Sequence, residues 1–173
     1  MTELQGRDIP GAAVAGRGYF GVGIYQPKHW ENVGTLWRSA YQLGAAFLVV
    51  VGSRPRRQCS DTVQSWRHVP LFQYDGFDDM AQALYDCPVV AVELGGKPLP
   101  DFSHPARCLY LLGSEDGGLP ESVMARCAGR VAIPAARLGV YNVAMAGTLV
   151  MYDRFIKEQI EHEMSPSRPA MGW

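Results

Sequence analysis

Residues 46–51 read AFLVVV, six apolar positions without a polar break, and this run constrains the fold more than any other part of the chain. Its length suits a strand, and three consecutive valines favour a pleated backbone over a helix. A strand that is apolar at every position is covered on both faces. That is the situation of an inner strand in a parallel sheet with helices on either side. Two more runs have the same character, residues 89–93 (VVAVE) and 108–112 (CLYLL). Strands are further expected at 18–26, 69–74 and 131–133, and helices at 32–43, 78–85, 120–127 and 142–163. The first helix is expected to be capped by Asn32 and the second by Asp75 or Asp78, because short polar side chains accept from orphan amides. In the last helix, Val143, Ala146, Gly147, Val150 and Met151 recur at three and four, so one side is buried. Alternation of this kind predicts an α/β fold with a mostly parallel sheet and helices on both faces. One domain is expected over 18–163, with a loose Gly/Ala/Pro leader at 1–17 and a tail at 164–173.

Composition narrows the function classes. With 47% apolar and 19% charged residues the chain is an ordinary globule, and a net charge of -1 announces no general basic field. Nucleic-acid binding must then come from local clusters or a second subunit. No apolar run approaches the roughly 18 residues of a membrane span, so no membrane partner is expected. Cys59, Cys87, Cys108 and Cys127 form no CxxC pair and have no tight spacing to histidine, which points to reduced thiols in a cytoplasmic protein and to no metal. Residues 16–21 spell G-x-G-x-x-G, but before an expected strand instead of after it. A nicotinamide-binding oxidoreductase is therefore a poor fit.

Ligands of open α/β sheets sit outside the carboxyl ends of the strands. Three marked junctions fall there: 32–38 (NVGTLWR), 113–119 (GSEDGGL) after CLYLL, and 133–143 from Ile133-Pro134 to Asn142-Val143. Gly34 and Arg38, four apart, share a helical face, so bare backbone lies near a permanent charge. Glycines 113, 117 and 118 permit turns that bring backbone close to a ligand.

In this order and spacing the three segments resemble the motifs of the SpoU/TrmH-like branch of the SPOUT methyltransferases. Asn32, Gly34 and Arg38 match N-x-G-x-x-x-R; Gly113, Glu115, Gly118 and Leu119 match G-x-E-x-x-G-L; Ile133, Pro134, Asn142 and Val143 match the third motif. The third departs from the pattern: Val140-Tyr141 stand where the family has Ser-Leu, and Ala144 where it has a second Ser.

The resemblance implies S-adenosylmethionine-dependent transfer of a methyl group to a ribose 2′-hydroxyl of RNA, with tRNA favoured over rRNA. It also implies a C-terminal deep trefoil knot and a homodimer. It assigns catalytic roles to Arg38, Asn32, Glu115 and Asn142. Cofactor contacts fall on Glu93, Leu94, Gly95, Gly113, Ile133, Val140, Tyr141, Asn142 and Val143. Arg38 holds a phosphate or the developing alkoxide in this reading, since a guanidinium rarely deprotonates. Arg54, Arg56, Arg57 and Arg67 form the candidate RNA patch, which His68, Lys28 and His29 extend. Trp30, Trp37 and Trp66 are candidates to stack on an unpaired base, although Trp37 inside a helix suits a core better. The alternative function is a non-catalytic RNA-binding protein that retains the fold.

Overall fold

The computed structural model describes residues 18–52 and 65–164, with the side chains of 162–164 excepted. Six strands form one sheet in the order β3-β2-β1-β5-β4-β6, with every neighbouring pair parallel. They are β1 (Tyr19–Tyr25), β2 (Phe47–Val51), β3 (Leu71–Tyr74), β4 (Val89–Pro98), β5 (Arg107–Leu112) and β6 (Gly129–Ala132). Four α-helices cover it: α1 (Trp30–Gln42), α2 (Phe77–Ala83), α3 (Glu121–Met124) and α4 (Val143–Met164). None of the described helices is long and apolar enough to cross a membrane.

The apolar runs become inner strands because each face is buried against a different helix pair. Phe20, Val22, Ile24, Leu48, Val50, Tyr110 and Leu112 pack with Val33, Leu36 and Trp37 of α1 and with Val150 and Met151 of α4. The alternate positions Val49, Val51, Ala91, Leu109 and Leu111 pack with Phe77 and Met80 of α2 and Val123 beside them. Each large side chain removed from water in this way contributes on the order of 1.5–3 kcal/mol. Helices α1 and α4 also meet each other closely: a Cβ on Gly147 would sit 2.5 Å from Leu36 Cδ1 and 3.2 Å from Leu112 Cδ1.

Several boundaries differ from those expected. Helix α1 begins at Trp30, with His29 at the N-cap and no side-chain cap bond, so Asn32 lies inside the first turn. Helix α2 is capped by neither aspartate; Gly76 occupies its N-cap, and Asp78 pairs with Arg126 at 2.5 Å. Helix α3 spans only Glu121–Met124, because the chain must enter β6 at Gly129. Strand β4 continues past Glu93 to Pro98, since β6 pairs with it twice, at Val90–Val92 and again at Lys97 and Pro98. Residues 93–96 bulge between the two registers. Gly18 and Gly21 of the G-x-G-x-x-G run belong to the entry and body of β1, where a Cβ on Gly21 would strike the Phe47 ring at 2.3 Å. The described part of the run, residues 18–21, is thus strand entry and sheet packing. The expected leader at 1–17 and the tail beyond Met164 lie outside the described residues.

Chain order reverses between β1 and β5. After β1 the chain leaves through α1 on one face, and after β5 it leaves through α3 on the other. The crevice of an α/β sheet opens at such a reversal.

Candidate active site

The loop after β5 crosses this reversal to reach the start of α1. Glu115 carries the contact: its Oε2 accepts from the Lys28 amide at 2.9 Å, and its Oε1 from the His29 amide at 3.2 Å. A carboxylate from a distant loop therefore holds the N-cap amide and the one before it, with charge of the sign that a helix N-terminus favours. Burial pushes the Glu115 carboxyl upward, but the amide donors from Lys28 and His29 and the Asn32 side chain outweigh it and hold it below its ordinary range.

Asn32, relieved of capping, donates Nδ2 to Glu115 Oε1 at 2.7 Å. Its Oδ1 accepts from Asn142 Nδ2 at 3.0 Å. Asn142 in turn caps α4, its Oδ1 accepting from the Ala144 amide at 3.0 Å and the Met145 amide at 3.3 Å. One orientation of both amides satisfies every bond in this chain. Three of the four residues assigned to catalysis thus form a continuous thread between the first turns of α1 and α4.

Arg38 stands apart from the thread. It lies on α1, half-buried and six residues beyond Asn32, about 9 Å along a helix axis. It makes no ion pair or hydrogen bond with another described residue.

Beside the thread, a cleft of about 840 Å³ opens at the ends of β4, β5 and β6. Its lining includes Glu93, Leu94, Gly113, Ile133, Val140, Tyr141, Asn142 and Val143, with Leu112, Leu119 and Met124 adding apolar wall. Gly95 is not part of the lining; its φ of +74° turns the chain within the β4 bulge. The Glu93 carboxylate accepts from the Leu119 amide at 2.9 Å and from the Leu94 amide at 3.1 Å, so it buttresses the β5–α3 loop from below. Gly118 lies over it at φ +63°, and a Cβ there would fall 2.3 Å from Glu93 Oε1. Gly113 is as tightly placed, 2.0 Å from the Gly118 carbonyl carbon by the same measure. The floor of the cleft is therefore bare backbone. The Tyr141 hydroxyl donates to the Pro134 carbonyl at 3.2 Å and ties its own loop together.

The RNA-patch residues divide. Arg67 and His68 are exposed, whereas Arg54, Arg56 and Arg57 lie outside the described residues. Lys28 is exposed, and its ammonium is paired with Asp116. Trp30 and Trp37 are 8% exposed core residues, and the Trp37 indole N–H donates to the Val69 carbonyl at 2.8 Å. Neither is a stacking surface.

A second polar thread escaped the sequence reading. Arg154, 3% exposed on α4, donates to the Pro105 carbonyl at 2.7 Å, the Ala106 carbonyl at 3.2 Å and the Tyr110 hydroxyl at 3.2 Å. Its Nε lies 2.7 Å from Glu158 Oε1 without the alignment of a hydrogen bond, a contact of charge only. Tyr110 passes its proton toward His104 Nδ1 at 2.6 Å, and His104 Nε2 meets Asp153 at 2.8 Å, where Lys157 also pairs at 2.7 Å. Burial lowers His104 to about 4, against the pull of Asp153. The neutral ring fits, donating from Nε2 and accepting at Nδ1. The visible clue was an arginine three positions after Met151 on the buried side of α4.

Comparison with known proteins agrees with this geometry. A tRNA (cytidine(34)-2′-O)-methyltransferase of Ancylobacter novellus is 29% identical over 143 residues, which cover 75% of this chain and 87% of the relative. The enzyme of the same name from Beijerinckia indica subsp. indica is 28% identical over 142 residues, 75% of this chain and 86% of the relative. A solved structure concerned with 2-OH methylation of C/U34 on tRNA superposes with a TM-score of 0.73 at 27% identity, covering 83% of this chain and 99% of that one. The fold is also that of the SpoU methyltransferase AviRb from Streptomyces viridochromogenes in complex with AdoMet (TM-score 0.73, 24% identity, 92% of this chain and 67% of that one). The model of the SpoU rRNA Methylase family matches residues 20–152, and the chain belongs to that family.

Proposed function

We propose that the protein transfers the methyl group of S-adenosylmethionine to a ribose 2′-hydroxyl of tRNA. The observation that carries the reading is the Glu115–Asn32–Asn142 thread, which fixes two helix starts beside a cleft floored by glycine backbone. The names of the relatives make nucleotide 34 the first position to test.

The cleft suits the cofactor: its volume is in the range of small-molecule sites, and its walls are apolar with backbone at close approach. Leu112, Ile133 and Val140 would hold the apolar part, with Gly113 and Tyr141–Val143 at its edge. When bound, S-adenosylmethionine supplies an electrophilic methyl group. The chain's own task is then to seat the ribose and handle charge. Arg38, a guanidinium without a protein counter-ion among the described residues, would hold the target phosphate and stabilise the hydroxyl oxygen as its proton leaves toward that phosphate. The asparagine thread would position the α1 face that carries it.

A homodimer belongs to the same reading. Met145, Tyr152, Ile156 and Ile160 are 51%, 53%, 37% and 49% exposed and follow one another on α4 at spacings of seven, four and four. A single face of the helix is thus apolar and uncovered. The trefoil knot is part of the proposal as well, its loops being those that follow β4, β5 and β6, three strands that lie together at one side of the sheet.

The test is methyl transfer to bulk tRNA from a strain lacking the protein, followed by mapping of 2′-O-methyl sites. Incorporation at one tRNA position is the expected result. Tight tRNA binding with no transfer would favour the non-catalytic alternative, for which the altered third motif, Val140-Tyr141 and Ala144, is the motivating feature.

A further inference from the structure

Two pairs of side chains lie where the turn at 65–67 packs against α1. Tyr41, 40% exposed, is three residues beyond Arg38 and shares its face of the helix. The Tyr41 ring stacks on His68, centroids 4.8 Å apart at 30°. Two residues before His68, Trp66 is 55% exposed, and the Arg67 guanidinium lies 5.2 Å from its ring centre.

This surface is built on a fixed base. Ser65–Arg67 forms a 3-10 turn that packs against α1. The His68 and Val69 amides both bond the Ser65 carbonyl, at 3.0 and 2.9 Å, and Trp37 pins Val69 from inside the core. A turn whose backbone is fixed in advance lowers the ordering cost of binding at the ring it presents. Arg38 and Arg67 bring positive charge to this surface. Neither Arg38 nor Arg67 has an ion-pair partner among the described residues, on a chain whose net charge is -1.

Exposed rings interleaved with uncompensated guanidinium groups match an unpaired nucleotide: the base has a π face and its phosphates are anionic. Resting on the function proposed above, we infer that Trp66, Arg67 and the Tyr41–His68 pair form a stacking platform for an unpaired nucleotide of the substrate RNA. That nucleotide is a neighbour of the one whose ribose Arg38 attends. Its base lies on the aromatic surface and its phosphates face the arginines. Such a platform selects single-stranded over paired RNA, because a base in a duplex keeps both its faces stacked.

The experiment compares the wild type with Trp66→Ala, Trp66→Phe and Arg67→Ala. Binding of bulk tRNA is read by filter retention, steady-state methyl transfer by label incorporation, and S-adenosylmethionine binding by calorimetry. Trp66→Ala should raise both Kd and KM for tRNA about ten-fold, leaving kcat and cofactor affinity unchanged. Trp66→Phe should restore most of the affinity, and Arg67→Ala should reduce the salt dependence of binding by about one phosphate contact. A Trp66→Ala protein that binds cofactor normally and tRNA within about two-fold of wild type overturns the platform. So does a change of that variant's oligomeric state in sedimentation, which would make the patch a contact between copies of the chain. A wild type that transfers no methyl group overturns the proposed function instead, and the binding comparison still decides the platform.

Discussion

Asn32 donates to Glu115 across 83 residues of chain, and the 2.7 Å bond joins the first turn of α1 to the loop after β5. The same carboxylate takes the Lys28 and His29 amides, so one side chain fixes the start of the helix that carries Arg38. Glu115→Gln keeps the size but removes the charge and one acceptor. Hydrogen bonds to a charged group are worth about 1.5–3 kcal/mol when buried, less at this half-exposed site. A loss of about 1–2 kcal/mol is expected, seen as a Tm lower by several degrees. Methyl transfer should fall with it, and calorimetric titration should still detect cofactor binding.

Arg38→Ala removes the one cation the proposed chemistry requires. Transfer to tRNA should fall by about 100-fold or more, the scale of losing a transition-state charge partner. Cofactor affinity should be unchanged, because Arg38 is not part of the cleft lining. Full activity in this variant would rule out the role given to it.

Gly118→Ala should disable the cleft. The backbone there has φ +63°, and the new methyl would meet Glu93 Oε1 at 2.3 Å. Strain of about 1–3 kcal/mol would be relieved by moving the loop. Calorimetry should show weaker cofactor binding by ten-fold or more, about 1.4 kcal/mol.

Stability should fall on acidification through the titration of His104. Its folded value, lowered by burial to about 4, lies below the roughly 6.5 of an exposed imidazole. Between those values the unfolded chain binds the extra proton, so stability rises with pH across the window and is lost as pH falls through it. Thermal melts from pH 7 to pH 4 should show this slope, and His104→Gln should flatten it while lowering the melting temperature at pH 7.

Tyr141→Phe tests whether the departure from the family motif supplies a hydroxyl to the reaction. The Tyr141 hydroxyl donates to Pro134 within its own exposed loop. Its loss should cost at most about 1 kcal/mol and leave kcat within about three-fold. A hundred-fold fall in kcat with unchanged folding would place the hydroxyl in the chemistry.

The inner strands were legible because burial on both faces leaves an unbroken apolar run, as in residues 46–51. The three junctions were legible because glycine and asparagine are restricted by backbone geometry. Long-range effects were not legible. Asn32 reads locally as a helix cap, but the helix starts at Trp30, and the Asn32 amide meets Glu115 arriving from the far side of the reversal. The continuation of β4 through its bulge depends on the register of β6, which forms some thirty residues later. Trp30 was read as a surface ring from its charged neighbours, but its position on the face of α1 that meets the sheet places it in the core.

The close packing of α1 on α4 at Gly147 has a consequence for how this family can vary. The glycine is five residues beyond Asn142, and the space of its absent methyl is taken by Leu36, four residues beyond Asn32. The two helices thus share one small volume a little more than a turn along each from the asparagine bond. Enlarging either residue alone would slide one helix along or away from the other and stretch a 3.0 Å contact. Positions 36 and 147 should therefore drift only as a compensated pair, a larger side chain on one matched by a smaller one on the other. A site that reads as two amides rests on two helices whose spacing a hydrocarbon fit at Leu36 and Gly147 sets.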